Sequence, residues 1–256
     1  MILVMNIGNT HIYLGLFKNK QLEGDWRLST DQNKTEDDYG WQLLQLIEKK
    51  KEELQEGIDG VILSSVVPPM VPVIESMCKK YFHLHPFIIG PGIKTGLNIR
   101  YDNPREVGAD RIVNAVGAIE EYNGPMIVID FGTAATFCYI DGANRYIGGA
   151  IAPGLTISAD ALYEHGSKLP LVELEQPAQI IGTNTIHAMQ SGIYYGYAGQ
   201  VDGIISRMKE EVKSNPFVLA TGGDASLISK ATHAIDKVDP YLTLKGLRYI
   251  YEKNTS

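Results

Sequence analysis

Ile2-Leu3-Val4-Met5-Asn6-Ile7-Gly8-Asn9-Thr10 and Met126-Ile127-Val128-Ile129-Asp130-Phe131-Gly132-Thr133-Ala134-Ala135-Thr136 share one grammar, and the fold turns on that repetition. In each, an apolar run too short for a helix ends in Asn or Asp. One more residue and a Gly follow, then small hydroxyl or amide residues. A second run of strand formers comes next, at 11–17 and 137–140. The pattern reads as strand, tight turn, strand, with the glycine letting the backbone come close to a ligand. Backbone N–H groups and hydroxyls at such a turn form a phosphate cradle, and a neighbouring carboxylate can hold the cation bound to phosphate. One such turn alone is equally compatible with an ordinary buried hairpin. Two of them about half a chain apart favour a ligand.

Working outward, 256 residues suit two domains of about 120 residues each. The clearest punctuation is Asn123-Gly124-Pro125, which predicts domains at 1–123 and 124–256. Apolar residues at 44% and charged ones at 21% are those of an ordinary globular protein. A net charge of −7 argues against nucleic acid or an anionic membrane as the main partner. The first residues carry no basic leader, and no apolar run reaches about twenty residues. A cytoplasmic location is therefore expected. Cys78 and Cys138 lie far apart in apolar segments and read as small buried hydrophobes in a reducing compartment.

Between the two turns, Thr35 with an acid three residues later predicts a helix N-terminus. Tyr39, Leu43, Leu46 and Ile47 give that helix an apolar face, and its charged end at 48–56 reads as solvated. A strand at 58–67 stops at Pro68-Pro69. Helical spacing follows at Val71, Ile74, Met77, Cys78 and Tyr81, then a strand at 87–89 and an extended piece at 97–101. A helix over 106–122 should turn Val107, Ile112, Val116 and Ile119 inward. Past the second turn come a strand at 146–151, a helix at 155–163 and an extended connection at 168–177. The longest helix, 183–212, carries Met189, Ile193, Tyr197, Val201, Ile204 and Met208 on one face. Gly192, Gly196, Gly199 and Gly203 line a second face, and each costs about 1 kcal/mol relative to Ala in a helix. Such a cost is usually offset by a close helix neighbour or a ligand. A strand at 217–220 and a helix at 241–252 close the chain. Strands alternating with helices predict parallel pairings with helices on the sheet faces.

Gly8, Asn9 and Thr10 can offer backbone, amide and hydroxyl donors to phosphates. Lys18, beyond the second strand, either reaches a phosphate or sits at a strand end as a surface lysine. An alcohol that accepts a phosphoryl group needs a carboxylate to take its proton, and Asp110 is the candidate. Arg111 beside it can grip a substrate carboxylate bidentately. The plainer alternative is an acid in a first helical turn with Arg as its partner. Thr221-Gly222-Gly223 reads either as a loop beneath a flat base or as a plain turn. The histidines, His11 and His187 among them, show no metal-ligand spacing.

A duplicated phosphate turn is the pattern of the actin-like, sugar-kinase and Hsp70 ATPase superfamily. Within it the chain resembles type III pantothenate kinase nearly end to end. The resemblance rests on Asn6-Ile7-Gly8-Asn9-Thr10, on Asn103-Pro104-Arg105-Glu106-Val107-Gly108-Ala109-Asp110-Arg111 and on Asp130-Phe131-Gly132-Thr133. It implies an α/β protein of two duplicated ribonuclease H-like, actin-like ATPase domains, each a mixed sheet flanked by helices, that close over ATP. It implies phosphorylation of pantothenate, the first step of coenzyme A biosynthesis, with Asp110 as base. It further implies ATP contacts from Asn6, Ile7, Gly8, Asn9, Thr10, His11, Ile12, Tyr13 and Thr133. Pantothenate contacts would come from Tyr101, Gly108, Ala109, Asp110, Arg111 and Thr185, the last across a homodimer boundary. Asp130 would hold a monovalent cation, potassium or ammonium, and magnesium would accompany ATP.

Two positions depart from the family pattern. Ala135 stands where a second Thr is common, removing a possible hydroxyl donor. Asn6 stands where the family has Asp; it keeps a carbonyl oxygen and loses the charge, so a hard cation is held less well. Loss of one electrostatic contributor of this kind costs about a hundred- to a thousandfold in rate. Two further readings therefore stay open: a nucleotide- and pantothenate-binding paralogue of low or no activity with a regulatory role, and a kinase of the superfamily acting on another small alcohol.

Overall fold

The computed structural model describes residues 1–255, with side chains at all but 51–53. In chain order the elements are β1 (Ile2–Ile7), β2 (His11–Lys18), β3 (Gln21–Ser29), α1 (Glu36–Leu54), β4 (Gly60–Ser65), α2 (Met70–Met77), β5 (Phe87–Ile88), β6 (Asn98–Ile99) and α3 (Ala109–Glu121). There follow β7 (Met126–Phe131), β8 (Ala134–Ile140), β9 (Arg145–Pro153), α4 (Leu155–His165), α5 (Thr185–Val212), β10 (Phe217–Thr221), α6 (Ala225–Ile228), β11 (Lys237–Val238) and α7 (Leu242–Thr255). The chain divides into two compact units. The first holds Met1–Leu97, Arg105–Glu120 and the chain from Leu242; the second holds Asn98–Pro104 and Glu121–Tyr241.

Each unit is a mixed sheet with helices, and the wiring is the same in both. In the first, β3-β2-β1 is an antiparallel meander, β4 runs parallel to β1 and β5 parallel to β4. In the second, β9-β8-β7 is the meander, β10 runs parallel to β7 and β11 parallel to β10. The duplication seen in the turns is thus a duplication of topology.

Both faces of β1 are covered, which is why it reads as a nearly unbroken apolar run. Leu3, Met5 and Ile7 pack with Tyr39, Leu43 and Ile47 of α1 and Ile74 of α2. Val4 turns to the opposite face, against Val113 and Val116 of α3 and Leu247 and Ile250 of α7. In the second unit Ile127, Ile129 and Phe131 pack with Met189, Ile193, Tyr197 and Val201 of α5. Thr35 caps α1 as its sequence predicts: it accepts from the Asp38 N–H, and the Asp38 carboxylate accepts from the Thr35 N–H at 2.9 Å. In the charge run at 48–56, Glu48, Lys49, Gln55 and Glu56 are exposed, while the side chains of 51–53 lie outside the described residues.

A single boundary at 123/124 differs from the observed units in two places. Asn98–Ile99 adds a parallel strand beside Arg145–Tyr146, which ties 98–104 to the second unit. Helix α7 belongs to the first unit because it lies on β1, β2 and β4, and glycines also let it meet α3 backbone to backbone. A Cβ on Gly246 would lie 2.1 Å from the Val113 carbonyl oxygen, and one on Gly117 2.7 Å from that of Leu242. The Thr243 hydroxyl donates to Asn114 Oδ1 at 2.6 Å across the same contact. This small-residue seam also rotates α3 from the expected stripe, so that Val113 is fully buried and Ile112 only half.

Candidate active site

The turn of the first unit is closed by its own backbone and fastened by β3. The Gly8 N–H donates to the His11 carbonyl at 2.9 Å. The Thr30 hydroxyl donates to the Gly8 carbonyl at 2.7 Å, and the Thr30 N–H to that of Thr10 at 2.9 Å. The Asn9 and Thr10 side chains are exposed at the turn. Ile7 and Ile12 send their side chains wholly into the core, so only their backbones can meet a nucleotide. His11 and Tyr13 have rings in edge contact at 6.2 Å. Burial, then the charge of Arg27, hold the His11 imidazole below its usual pKa. Asn6 sits opposite Tyr13 and beside Ser64 in the sheet register. The fully buried Ser64 hydroxyl donates to Asn6 Oδ1 at 2.5 Å.

Lys18 is the surface lysine. It ends β2 beside the start of β1, about 23 Å of strand away from His11 at the turn, and pairs with Glu56 at 2.8 Å.

Asp110 stands in the first turn of α3, whose start follows a short helical turn at Pro104–Glu106. Its Oδ1 accepts from the Arg111 N–H at 2.8 Å. Gly108 makes room for that carboxylate, since a Cβ there would lie 2.6 Å from Oδ1. Burial raises the Asp110 pKa; the hydrogen bond from Arg111 and its charge oppose the rise without cancelling it. A first-turn acid serving only the helix dipole should have its pKa lowered. The opposite shift comes from burial, at a carboxylate beside a buried arginine, and is of the direction that suits a proton acceptor.

In the second unit the Gly132 N–H donates to the Ala134 carbonyl at 3.2 Å, and the Gly154 N–H to that of Thr133 at 3.0 Å. Position 154 admits only glycine, because a Cβ there would meet the Gly132 carbonyl oxygen at 2.3 Å. Thr133 is exposed. Ala135 is fully buried in the core cluster, so a threonine hydroxyl at this position would point away from the turn. The expected loss of a donor there does not apply. Asp130, the last residue but one of β7, lies between Thr136 on β8 and Thr221 on β10. Gly222, at φ 94°, passes so close that its Cβ would fall 2.5 Å from the Phe131 carbonyl oxygen and 2.6 Å from Asp130 Oδ1. The Thr221 hydroxyl beside them is buried with no hydrogen-bond partner among the described residues. A carboxylate, a carbonyl and an unsatisfied hydroxyl make a donor set of hard oxygens, which fits a cation such as potassium or magnesium. Just beyond, burial raises the pKa of Asp224, and burial and that carboxylate raise that of Tyr197, whose buried hydroxyl also lacks a partner among the described residues.

A cavity of about 930 Å³ opens between α4, the segment before α5, and α5 itself, lined by Leu162, Leu169, Thr185, Gly192, Gly196 and Tyr197 among others. Thr185 opens α5 behind Asn184, which caps it by accepting from the His187 N–H at 2.9 Å. Gly192, Gly196 and Gly199 face open space, with nothing within 4 Å of where a Cβ would stand. That helix face is therefore not packed against directly among the described residues, and at Gly192 and Gly196 it opens onto the cavity. Tyr101 lies elsewhere, on the β9 edge, 3.7 Å from the Cβ position of Gly148. The expected acceptor contacts thus fall into a consecutive group, Gly108 to Arg111, in the first unit, and two separate positions in the second. Sequence reasoning did not single out Ser64, Thr136 or Asp224. Ser64 and Thr136 each sit in an apolar strand, and only the register reveals what they stand beside.

Two units of this wiring, each ending its central strand at a glycine turn, define the fold of the actin-like ATPases and sugar kinases. The model of the type III pantothenate kinase family matches residues 2–207, and the chain belongs to that family. It is a kinase by class. Solved structures of the same fold include a Baf family protein of Campylobacter jejuni described as a transcriptional activator (16% identity over 99% of this chain and 98% of that one, TM-score 0.60). The activator of the 2-hydroxyisocaproyl-CoA dehydratase of Clostridium difficile with bound ADPNP is similar at 14% identity over 99% and 97%, TM-score 0.53. The inorganic polyphosphate/ATP-glucomannokinase of an Arthrobacter species follows at 13% over 98% of each chain, TM-score 0.51.

Proposed function

We propose that this kinase transfers the γ-phosphoryl group of ATP to the terminal hydroxyl of pantothenate, giving 4'-phosphopantothenate, the entry step of coenzyme A synthesis. The observation that carries the reading is the Asp110 carboxylate, tuned upward by burial and seated against Gly108, within the span matched to the family. Asp110 takes the hydroxyl proton as the new O–P bond forms, and the bond from the γ-phosphorus to the β-phosphate oxygen breaks to release ADP. Arg111, Gly108 and Ala109, with Tyr101 and Thr185, bind the acceptor. The turn from Asn6 to Tyr13 and Thr133 bind the phosphates of ATP. A divalent cation on the nucleotide supplies charge neutralisation at the transferring group. Asp130, the Phe131 carbonyl and Thr221 are the residues that would hold a monovalent cation.

The open glycine face of α5, together with the exposed Leu162 and Tyr163 of α4, Ile180 and Ile181 of the segment before α5, and Ile186 of α5, supports a homodimer built on that helix. No helix among the described residues is long and apolar enough to cross a membrane, and the reading assigns the reaction to the cytoplasm. Asn6 favours a second reading, a binding paralogue with little turnover. The deciding experiment is ADP release by the full chain with pantothenate, with and without potassium. Pantothenate-dependent release supports the kinase; binding of both ligands without release transfers the case to the second reading.

A further inference from the structure

We propose that Asn6 binds a nucleotide phosphate oxygen directly through its amide nitrogen, with Ser64 as the residue that positions it, so that the first turn holds phosphate without a metal ion. The proposal rests on the reading of this chain as an ATP-using kinase. Asn6 and Ser64 are register partners near the C-terminal ends of the parallel strands β1 and β4, the end of such strands at which ligands bind. Ser64 is fully buried, and its hydroxyl donates to Asn6 Oδ1. That bond fixes the amide. With the amide reversed, the buried Ser64 proton would lose the acceptor the protein gives it, which is the costlier state. Oδ1 is thereby committed to the protein, while Nδ2, on a part-exposed side chain, makes no hydrogen bond among the described residues.

An amide N–H is a donor. Beside the Gly8 turn it matches an anionic oxygen and repels a cation. A carboxylate in its place would keep the Ser64 bond with one oxygen and present the other, negatively charged, to the phosphate. Only an intervening cation would make that arrangement favourable. The residue at position 6 therefore sets whether this turn prefers free or metal-bound nucleotide.

The experiment is calorimetric titration of ATP into the full chain, once with EDTA and once with magnesium. Wild type should bind metal-free ATP, and Asn6→Asp should weaken that binding more than about tenfold, the effect of one hydrogen bond to a charged group. Affinity for magnesium-ATP should hold or rise in the same variant. Asn6→Ala and Ser64→Ala should each weaken metal-free binding without creating a new magnesium requirement, and they decide the matter if the Asp variant does not fold. Metal-free affinity that is unchanged in these variants, or a wild type that binds ATP only with magnesium, overturns the proposal. Pantothenate phosphorylation measured on the same wild-type sample separates the two readings. Its absence alongside the predicted titrations refutes the substrate and leaves Asn6 standing, while its presence with unaltered titrations does the reverse.

Discussion

Replacing Gly108 with Ala should cripple catalysis and spare the fold. The new methyl would stand 2.6 Å from Asp110 Oδ1. An ordinary carbon–oxygen contact is about 3.3 Å, so the carboxylate must retreat by roughly 0.7 Å or rotate. Gly108 is not among the positive-φ glycines, so the backbone accepts Ala without strain. The displaced atom is the tip of a side chain, and leaving its preferred rotamer costs only about 1 kcal/mol. A base is far less tolerant than a fold, since a displacement of about 1 Å can cost about a hundredfold in rate. The expected result is a kcat reduced by about 10- to 100-fold, with the melting temperature within a few degrees of wild type and ATP affinity unchanged. Pantothenate-dependent ADP release, a thermal melt and an ATP titration measure the three. A folded variant with wild-type kcat would show that Asp110 does not act from the position it occupies.

Asp110→Asn should lose most phosphoryl transfer and keep ATP binding; a parallel loss of ATP affinity would move Asp110 to another role. Because its folded pKa is raised, the stability Asp110 contributes is fully present below about pH 3.9 and lost as pH rises through the folded value. Asp110→Asn should therefore melt higher than wild type at pH 7, with the gap closing towards pH 4 in a pH series of melts. Gly246→Ala forces a Cβ to 2.1 Å from the Val113 carbonyl, and parting α3 from α7 should cost about 2–3 kcal/mol in a urea titration. Gly196→Leu should give folded monomers that bind ATP and not pantothenate. Sedimentation with a pantothenate titration checks it, and a monomer that binds pantothenate normally removes the shared site.

The two turns were legible because their signal is local: a buried strand, a residue that ends it, and a glycine the geometry requires. The mixed sheets followed from the same local patterns, and so did the Thr35 cap. What the sequence hid was long-range. Nothing in Asn98–Ile99 announces that they pair with β9, and nothing in α7 announces that Gly246 brings it against α3, since small residues at a helix seam look like any others. Ala135 misled because strand parity, not proximity in sequence, decides which way a side chain points. Ser64 was invisible for the same reason. A serine after an apolar run means little until the register puts it beside Asn6.

The duplication kept one backbone device and let the chemistry of its flanking residue diverge. In both units a glycine N–H closes the turn on a carbonyl two or three residues ahead, and small polar side chains are exposed beside it. At the end of β1 the flanking side chain is an amide whose oxygen is held by Ser64, leaving a donor. At the end of β7 it is a carboxylate crowded by the Phe131 carbonyl and Gly222, beside an unsatisfied threonine hydroxyl, which is a set of acceptors. A nucleoside triphosphate brings anionic oxygens that want donors and counter-cations that want acceptors. One turn is chemically suited to the first and the other to the second. Exchanging the two residues, Asn6→Asp with Asp130→Asn, should therefore not restore function even though each turn has the same shape. Recovery of wild-type ADP release by the double variant would refute this division of roles.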